Sequence, residues 1–159
     1  MPPIILATIY LFFSACSLHT IGEVKKLTES HLRKIELSEA QSRSEQLFRQ
    51  TLERQIGSTD TDTRYQLSYS LTGASQSTLS ASGSSSTLNN TKMSVNYSLE
   101  DNETGNQLTH GFISATVTSG NITSHYGTDV SARFAAERLV GLLAERTYQK
   151  LQLYFLSSE

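Results

Sequence analysis

The chain has 159 residues, which suffices for one domain of ordinary size and is too short for two well-buried ones. Its 13 basic and 15 acidic residues give a formal net charge of −2, which excludes a strongly basic nucleic-acid-binding protein. Only 18% of the residues are charged, whereas Ser and Thr together supply about a quarter of the chain. A single Cys excludes a disulfide framework and a zinc site built on thiolates.

An apolar segment, Ile4 to Phe13, lies close to the N-terminus. It is too short to cross a bilayer as a helix and is typical of the hydrophobic part of a secretion signal. The residues from Phe13 to Cys16 resemble a bacterial lipobox, in which signal peptidase II cuts before a diacylated Cys. This resemblance implies a signal peptide over 1–15, a lipidated Cys16 and a polar tether over 16–31. The alternative is that Cys16 is an ordinary small hydrophobic residue.

The first elements of the mature chain are a short strand and an amphipathic helix. The spacing of apolar residues predicts a strand over 32–37 and a helix that ends at Ile56. Ser42 and Glu45 form a capping-box pattern at the start of this helix. Gly57 follows its last apolar residue, where a glycine commonly ends a helix.

Three further strands are predicted from alternating apolar and polar residues. Two of them, over 65–71 and 93–99, flank a segment rich in Ser, Gly and Thr, 72–90. That segment is either a mobile loop or the ragged ends of two long strands. The turn-forming residues 101–106 lead into a return strand over about 107–119.

The last predicted element is a long helix that Asp129 caps and that continues to about Leu153. Its apolar stripe consists of Ala132, Ala136, Leu139, Val140, Leu143, Leu151 and Tyr154. The element order is therefore β-α-β-β-β-α. We expect an α+β fold, a two-layer sandwich in which two helices cover one face of a roughly four-stranded mixed or antiparallel sheet. This single domain is expected over 32–156.

The sequence shows no converging set of reactive groups. The four histidines, His19, His31, His110 and His125, are scattered and have no Asp/Glu cluster beside them. No nucleophile elbow and no phosphate-binding Gly/Lys loop are present. The sequence therefore predicts that the protein is not an enzyme and has neither a metal site nor a cofactor.

Several segments together resemble the LptE family, lipoproteins of lipopolysaccharide assembly, in its alpha-proteobacterial form. They are the helix segment LFRQTLERQI, the strand RYQLSYSL and the hairpin VNYSLEDNETGNQLTHGFISATVT. The most specific part is a polar loop with an aromatic residue that leads into an Ala-rich terminal helix. Ser124 to Gly127 match the loop, and Tyr154 and Phe155 match the apolar-aromatic pair that ends the helix.

The resemblance implies a non-enzymatic lipoprotein on the periplasmic side of the outer membrane. LptE proteins resemble a plug inside the lumen of the outer-membrane barrel LptD, where they assist barrel assembly and lipopolysaccharide transport. Ser17, which follows Cys16, favours the outer membrane by analogy with enterobacterial lipoprotein sorting. In the family, basic residues near loop tips contact lipid A, and Lys92 and Arg64 are the candidates here for contact with lipopolysaccharide. The alternative is that both are solvated charges at strand ends.

A different class of function stays open on the residues alone. The same sandwich layout hosts many roles. A free periplasmic lipoprotein, such as an auxiliary protein of a transporter or a small-ligand binding module, would have the same composition and the same element order.

Overall fold

The computed structural model describes residues 28–58, 62–78, 88–120 and 125–158. A short helical segment, 28–32, comes first. The main elements follow in the order β1 (Ile35–Leu37), α1 (Arg43–Ile56), β2 (Tyr65–Thr78), β3 (Leu88–Asp101), β4 (Gln107–Gly120) and α2 (His125–Ser158). This is the predicted order of strands and helices.

The four strands form one mixed sheet in the order β1-β2-β3-β4. β1 pairs with β2 in parallel, and α1 supplies the crossover that two parallel neighbours require. The pairs β2–β3 and β3–β4 are antiparallel. Tyr69 packs against Phe48 of α1 and Tyr65 packs against Phe155 of α2, so both helices lie on the same face of β2. The predicted two-layer α+β fold is confirmed.

The predicted capping of α1 is present at both ends. Ser42 has extended backbone angles, and its side-chain oxygen accepts a hydrogen bond of 3.2 Å from the backbone N–H of Glu45. At the other end Gly57 has φ of 90°, and its N–H donates to the carbonyl of Glu53 at 2.9 Å. A side chain would be strained at that φ, which explains the glycine.

The core lies between the sheet and the helices. Its largest fully buried hydrophobic side chains come from the segment before β1 and from every main element except β4. They include Leu32, Ile35, Phe48, Leu52, Leu67, Leu99, Leu139, Leu143 and Leu151. β4 contributes Ala115, which is buried, and the half-buried Ile113 and Val117 on the same face. The alternation predicted for β4 is therefore the one observed.

β2 and β3 are longer than their apolar alternation predicts. The backbone of β2 continues to Thr78 and that of β3 starts at Leu88, with Thr78 opposite Leu88 in the antiparallel register. Of the two alternatives for 72–90, residues 72–78 and 88–90 therefore fit the second, the ends of two long strands. The remainder of that segment lies outside the described residues. Backbone pairing across the ladder extends these strands beyond the part that buries apolar side chains.

The terminal helix differs from its prediction at its start and in its stripe. α2 includes His125, so Asp129 lies inside the helix and does not cap it. Ala132 is exposed, whereas Phe155 is buried and Tyr154 only half-buried. The stripe is thus one position out of phase at both ends, because the sequence offers apolar residues at neighbouring positions and packing against the sheet selects among them.

The packed domain includes residues that the prediction places in the tether. Thr28 of the helical segment is buried. His31 stacks on Phe155 with ring centroids 5.1 Å apart, and its Nδ1 lies 3.3 Å from the Tyr65 hydroxyl. The domain therefore begins at or before residue 28, and the predicted signal peptide, 1–15, lies outside the described residues.

Glu45 ties α1 to the sheet, a role that its capping pattern does not reveal. One carboxylate oxygen accepts from the N–H of Gln41 at 2.8 Å, as in a capping box displaced by one residue. The other accepts from the N–H of Leu71 in β2 at 3.2 Å. β1 pairs with β2 only as far as Leu67, so Glu45 binds the edge of β2 where β1 has ended.

Candidate functional site

The sheet face opposite the helices carries mainly polar side chains. Neither helix covers it, because the helices pack on the odd-numbered residues of β2. We call it the polar face, and its side chains are Gln66, Ser68, Ser70 and Thr72 of β2, Lys92, Ser94, Asn96, Ser98 and Glu100 of β3, and His110, Phe112, Ser114, Thr116 and Thr118 of β4. Each of these side chains is exposed or half-buried.

Hydroxyl and amide groups on the polar face are paired across the strands. The hydroxyls of Thr72 and Ser94 lie 2.8 Å apart, directly opposite one another. The amide of Gln107 donates to the hydroxyl of Ser98 at 2.7 Å, and Thr118 donates to the Asn90 side chain at 2.7 Å. Cross-strand pairs of this kind stabilise a sheet and hold its polar groups in fixed positions. The face therefore presents an ordered array of hydrogen-bonding groups.

Phe112 is the one large aromatic side chain in that array, and 62% of it is exposed. It sits opposite Asn96 and helps to line a shallow depression with Ser68, Ser98 and His110. Phe112 was not singled out in the sequence analysis. The signal that could have identified Phe112 is an aromatic residue among the alternate positions of β4 that are otherwise polar. Exposed aromatic residues are enriched at binding surfaces.

The structure does not bring together the two residues that were predicted to contact lipopolysaccharide. Lys92 lies on the polar face, exposed, and opposite Ala74 in the ladder. Arg64 immediately precedes β2 at the other end of the sheet. Arg64 precedes Ala74, the residue opposite Lys92, by ten residues. At a strand rise of about 3.3 Å per residue this separates Arg64 from Lys92 by about 33 Å along the sheet. One phosphate group therefore cannot bind both side chains, and the lipid-contact role of each stays a prediction.

Arg64 takes part in the turn between β3 and β4. Its Nε and Nη2 both donate to one oxygen of Asp101 at 3.2 Å, and its guanidinium lies 5.4 Å from the ring centroid of Tyr65. The other oxygen of Asp101 accepts from the N–H groups of Glu103 and Thr104 at 2.9 and 3.1 Å. Asp101 is buried, and Arg64 is 45% exposed. The contacts of Arg64 thus stabilise this turn.

The charge of Asp101 is stabilised in the folded protein. Burial, the largest single influence, raises the pKa of its carboxyl, but the amides of Thr104 and Glu103 and the Arg64 guanidinium together hold that pKa below its ordinary value. A carboxyl with a lowered native pKa stabilises the fold above the pKa of the unfolded chain. This contribution is lost as the pH falls through the lowered native pKa.

Asp101→Asn is expected to lower the thermal unfolding midpoint at pH 7, because the amide nitrogen that replaces one oxygen cannot accept from Arg64. The difference from the wild type should shrink as the pH falls below about 4 and vanish once Asp101 is protonated in both states. Circular dichroism melts between pH 2.5 and 7 measure this. Asp62→Asn, at an exposed residue, is the control. A difference that stays constant over the whole range would contradict this role of Asp101.

The remaining predicted features concern the anchor and the absence of reactive sites. Cys16 lies outside the described residues. Across 28–58, 62–78, 88–120 and 125–158, no three His, Cys, Asp or Glu side chains are arranged to hold a metal ion. No helix in those ranges combines the length and the apolar character that a membrane span requires.

No protein-family profile and no curated protein matches this sequence. Solved structures do match it, among them two from bacteria. A protein from Caulobacter crescentus CB15 designated a lipoprotein is 20% identical, with a TM-score of 0.66 over 84% of this chain and 98% of its own. A minor lipoprotein from Acinetobacter baumannii is 16% identical, with a TM-score of 0.54 over 75% of this chain and 90% of its own. This chain shares the fold of these bacterial lipoproteins. At such identities the likeness establishes the fold, and function has to be argued from the surface.

Proposed function

We propose that this protein is a lipoprotein of the outer membrane, held on the periplasmic side by acyl chains on Cys16. In this proposal it docks inside the lumen of the LptD barrel as a plug and assembly partner, and thereby serves lipopolysaccharide transport to the outer leaflet. It performs no catalysis. The shared fold with two bacterial lipoproteins and the lipobox-like residues before Cys16 support the lipoprotein part.

The polar face is the observation that carries the docking part of the proposal. The interior of a large outer-membrane barrel is polar, so a plug needs a surface that can exchange hydrogen bonds with a polar wall. Among the described residues of this face Lys92 is the only Lys or Arg and Glu100 the only Asp or Glu, and the rest are mainly hydroxyl and amide groups. Docking such a face avoids the cost of removing many unpaired charges from water.

Phe112 fits the same interpretation as an anchor on β4, the edge strand of the docking surface. Interfaces combine a few large buried aromatic residues with surrounding polar contacts. Phe112 is 62% exposed and is surrounded by Asn96, Ser98 and His110. Covering this ring is the main apolar gain that the polar face can offer a partner.

Lys92 is the better placed of the two candidates for contact with a lipid A phosphate. It is exposed on the polar face, and Arg64 already binds Asp101. A Lys ammonium can bind a phosphate as a point charge. In this proposal lipopolysaccharide contact therefore depends on Lys92 and is independent of Arg64.

Affinity purification of the tagged lipoprotein from detergent-solubilised outer membranes tests the proposal. The expected result is a stoichiometric complex with LptD. Asn96→Glu, which places an unpaired carboxylate next to Phe112, should reduce recovery of the barrel strongly. Gln46→Glu, at an exposed position of α1, is the matched control and should leave recovery unchanged. Recovery of the lipoprotein without any large barrel protein would contradict the proposal.

The depression around Phe112 also favours a second candidate function, a free periplasmic module that binds a small ligand. In that case the protein is recovered alone, stays monomeric and binds a hydrophobic ligand with an affinity that Phe112→Ser lowers. The same purification therefore separates the two functions, because only the first requires the barrel.

A further inference from the structure

The outer edge of β4 is a long strand edge to which no described strand is paired. β4 is the last strand in the sheet order and has 14 residues. Its sequence, QLTHGFISATVTSG, contains no Lys, Arg, Asp, Glu or Pro. Natural proteins commonly protect such an edge with charged residues, Pro or a bulge, because an open edge accepts another strand. The one irregularity in the β3–β4 register lies between Leu99 and Glu100, at the start of β4.

Hydrogen-bond directions show which residues of β4 point outward. The N–H of Leu71 donates to Glu45 and therefore points to the side of β2 away from β3. Leu71 lies opposite Val95 in the β2–β3 ladder, so these two residues form a pair without hydrogen bonds to each other. Val95 must then bond across to Ile113 of β4. The neighbouring residue Ser114 therefore directs its N–H and carbonyl to the free edge.

An independent contact leads to the same assignment. Nη1 of Arg146 in α2 donates to the carbonyl of Ser114 at 3.1 Å, which a helix side chain can reach because that carbonyl is not bonded to β3. By strand alternation, Phe112 and Thr116 also direct their backbone groups outward. Three alternate residues of β4 thus direct their backbone groups to this edge, and an added strand would share the Ser114 carbonyl with Arg146 or displace it.

Exposed apolar side chains flank this edge from both sides. Phe112 lies on the polar face and Leu153 on the helix side, 62% and 59% exposed. Arg146 marks the level of Ser114, and Leu153 is seven residues further, about 10 Å along α2 toward the start of β4. That distance equals about three strand residues, which places Leu153 near the level of Phe112. The residues of an added strand that point to the polar face would cover Phe112.

Charge selects the kind of strand that fits. Arg146 and Lys150 are exposed and one turn apart on the helix side of the edge, and β4 supplies no carboxylate to neutralise them. A second copy paired edge to edge about a two-fold axis would bring two Arg146 side chains together, which opposes self-association. A partner strand with carboxylates on its helix side would instead form ion pairs there.

We propose that β4 binds, by strand addition, an extended segment of a partner protein in which apolar residues alternate with Asp or Glu. Its apolar residues cover Phe112 on the polar face, and its acidic residues meet Arg146 and Lys150. Its backbone pairs with the outward groups of Phe112, Ser114 and Thr116. The inference goes beyond the proposed function, because it concerns the strand edge and holds for any partner that supplies such a segment.

Amide hydrogen exchange of the full mature chain in detergent micelles tests this. The probe is a capped octapeptide of alternating Asp and Val, and a Lys-Val octapeptide is its control. With the acidic probe at saturation, the amides of Phe112, Ser114 and Thr116 should exchange at least about tenfold more slowly. The Lys-Val probe should protect none of them. Equal protection by both probes, or protection by neither, would overturn the proposal.

Two variants make the test specific to the edge and its charge. Ser114→Pro removes an outward N–H without removing a bond to β3 and should abolish protection, and Ser70→Asn on the polar face should not. Arg146→Glu, at an exposed position, should shift the preference toward the Lys-Val probe, a result that does not depend on the Pro variant folding. Concentration-dependent dimerisation that Ser114→Pro removes would assign the edge to a second copy and overturn the proposed partner.

Discussion

Replacement of Cys16 by Ser is expected to abolish fatty acylation completely. Only Cys16 carries a thiol in this chain, and it follows the apolar segment directly. Each buried methylene contributes about 0.8 kcal/mol, so two or three acyl chains give firm anchoring and their loss removes it. Mass spectrometry of the mature N-terminus measures the effect, since the wild type should begin at Cys16 and carry the mass of the acyl chains.

Ser17→Ala is the matched control for this experiment. It changes the neighbouring residue and leaves the thiol in place, so acylation and membrane retention should persist. An unmodified wild-type Cys16, or a mature N-terminus elsewhere in the chain, would contradict the lipoprotein assignment. Such a result would leave the fold unaffected, because Cys16 lies outside the described domain.

Glu45→Ala is expected to lower the free energy of unfolding by about 1–3 kcal/mol, because it removes a partly buried hydrogen bond to a carboxylate. The main loss is the bond from the Leu71 N–H, because Glu45 is buried and binds β2 where β1 no longer pairs with it. At this chain length each kcal/mol corresponds to about 2–4 °C in the unfolding midpoint. Thermal melts measure the loss, and faster amide exchange at Leu71 locates it.

Gln46→Ala controls for general effects on α1. Gln46 is the next residue of the helix and is exposed, so its truncation should change stability by less than about 0.5 kcal/mol. Equal losses in the two variants, or unchanged exchange at Leu71, would show that Glu45 does not hold the sheet edge.

Local patterns in the sequence were sufficient to predict the main elements. The capping pair Ser42 and Glu45 and the glycine at position 57 act within one helix, so their roles follow from neighbouring residues. The alternation in β2, β3 and β4 predicts which side chains face the core, because a strand buries every second residue. These short-range rules fixed the element order and the layer on which the helices pack.

Contacts between residues distant in sequence could not be predicted in this way. The link from Glu45 to Leu71 spans 26 residues, and the ion pair of Arg64 with Asp101 spans 37. The extensions of β2 and β3 depend on backbone pairing with each other, which side-chain periodicity does not record. The start of α2 at His125, before the cap that the sequence suggests at Asp129, is likewise not recorded in the apolar periodicity.

The candidate site was predictable in composition and not in arrangement. The excess of Ser and Thr predicts a polar exterior, and the structure places eight of these residues together on one sheet face. Register is what places Phe112 beside Asn96 and separates Lys92 from Arg64 along the sheet. These are properties of strand pairing, so the sequence could name the residues without placing them together.

Photo-crosslinking in intact cells tests the central claim, that the polar face docks against the barrel wall. Benzoylphenylalanine placed at Asn96, an exposed position in the middle of β3, should give an adduct with the combined mass of the lipoprotein and LptD. The adduct should require ultraviolet light and disappear in the presence of Ser94→Glu, which puts a carboxylate beside the probe. A correctly localised protein that forms no barrel adduct from Asn96 would contradict the claim.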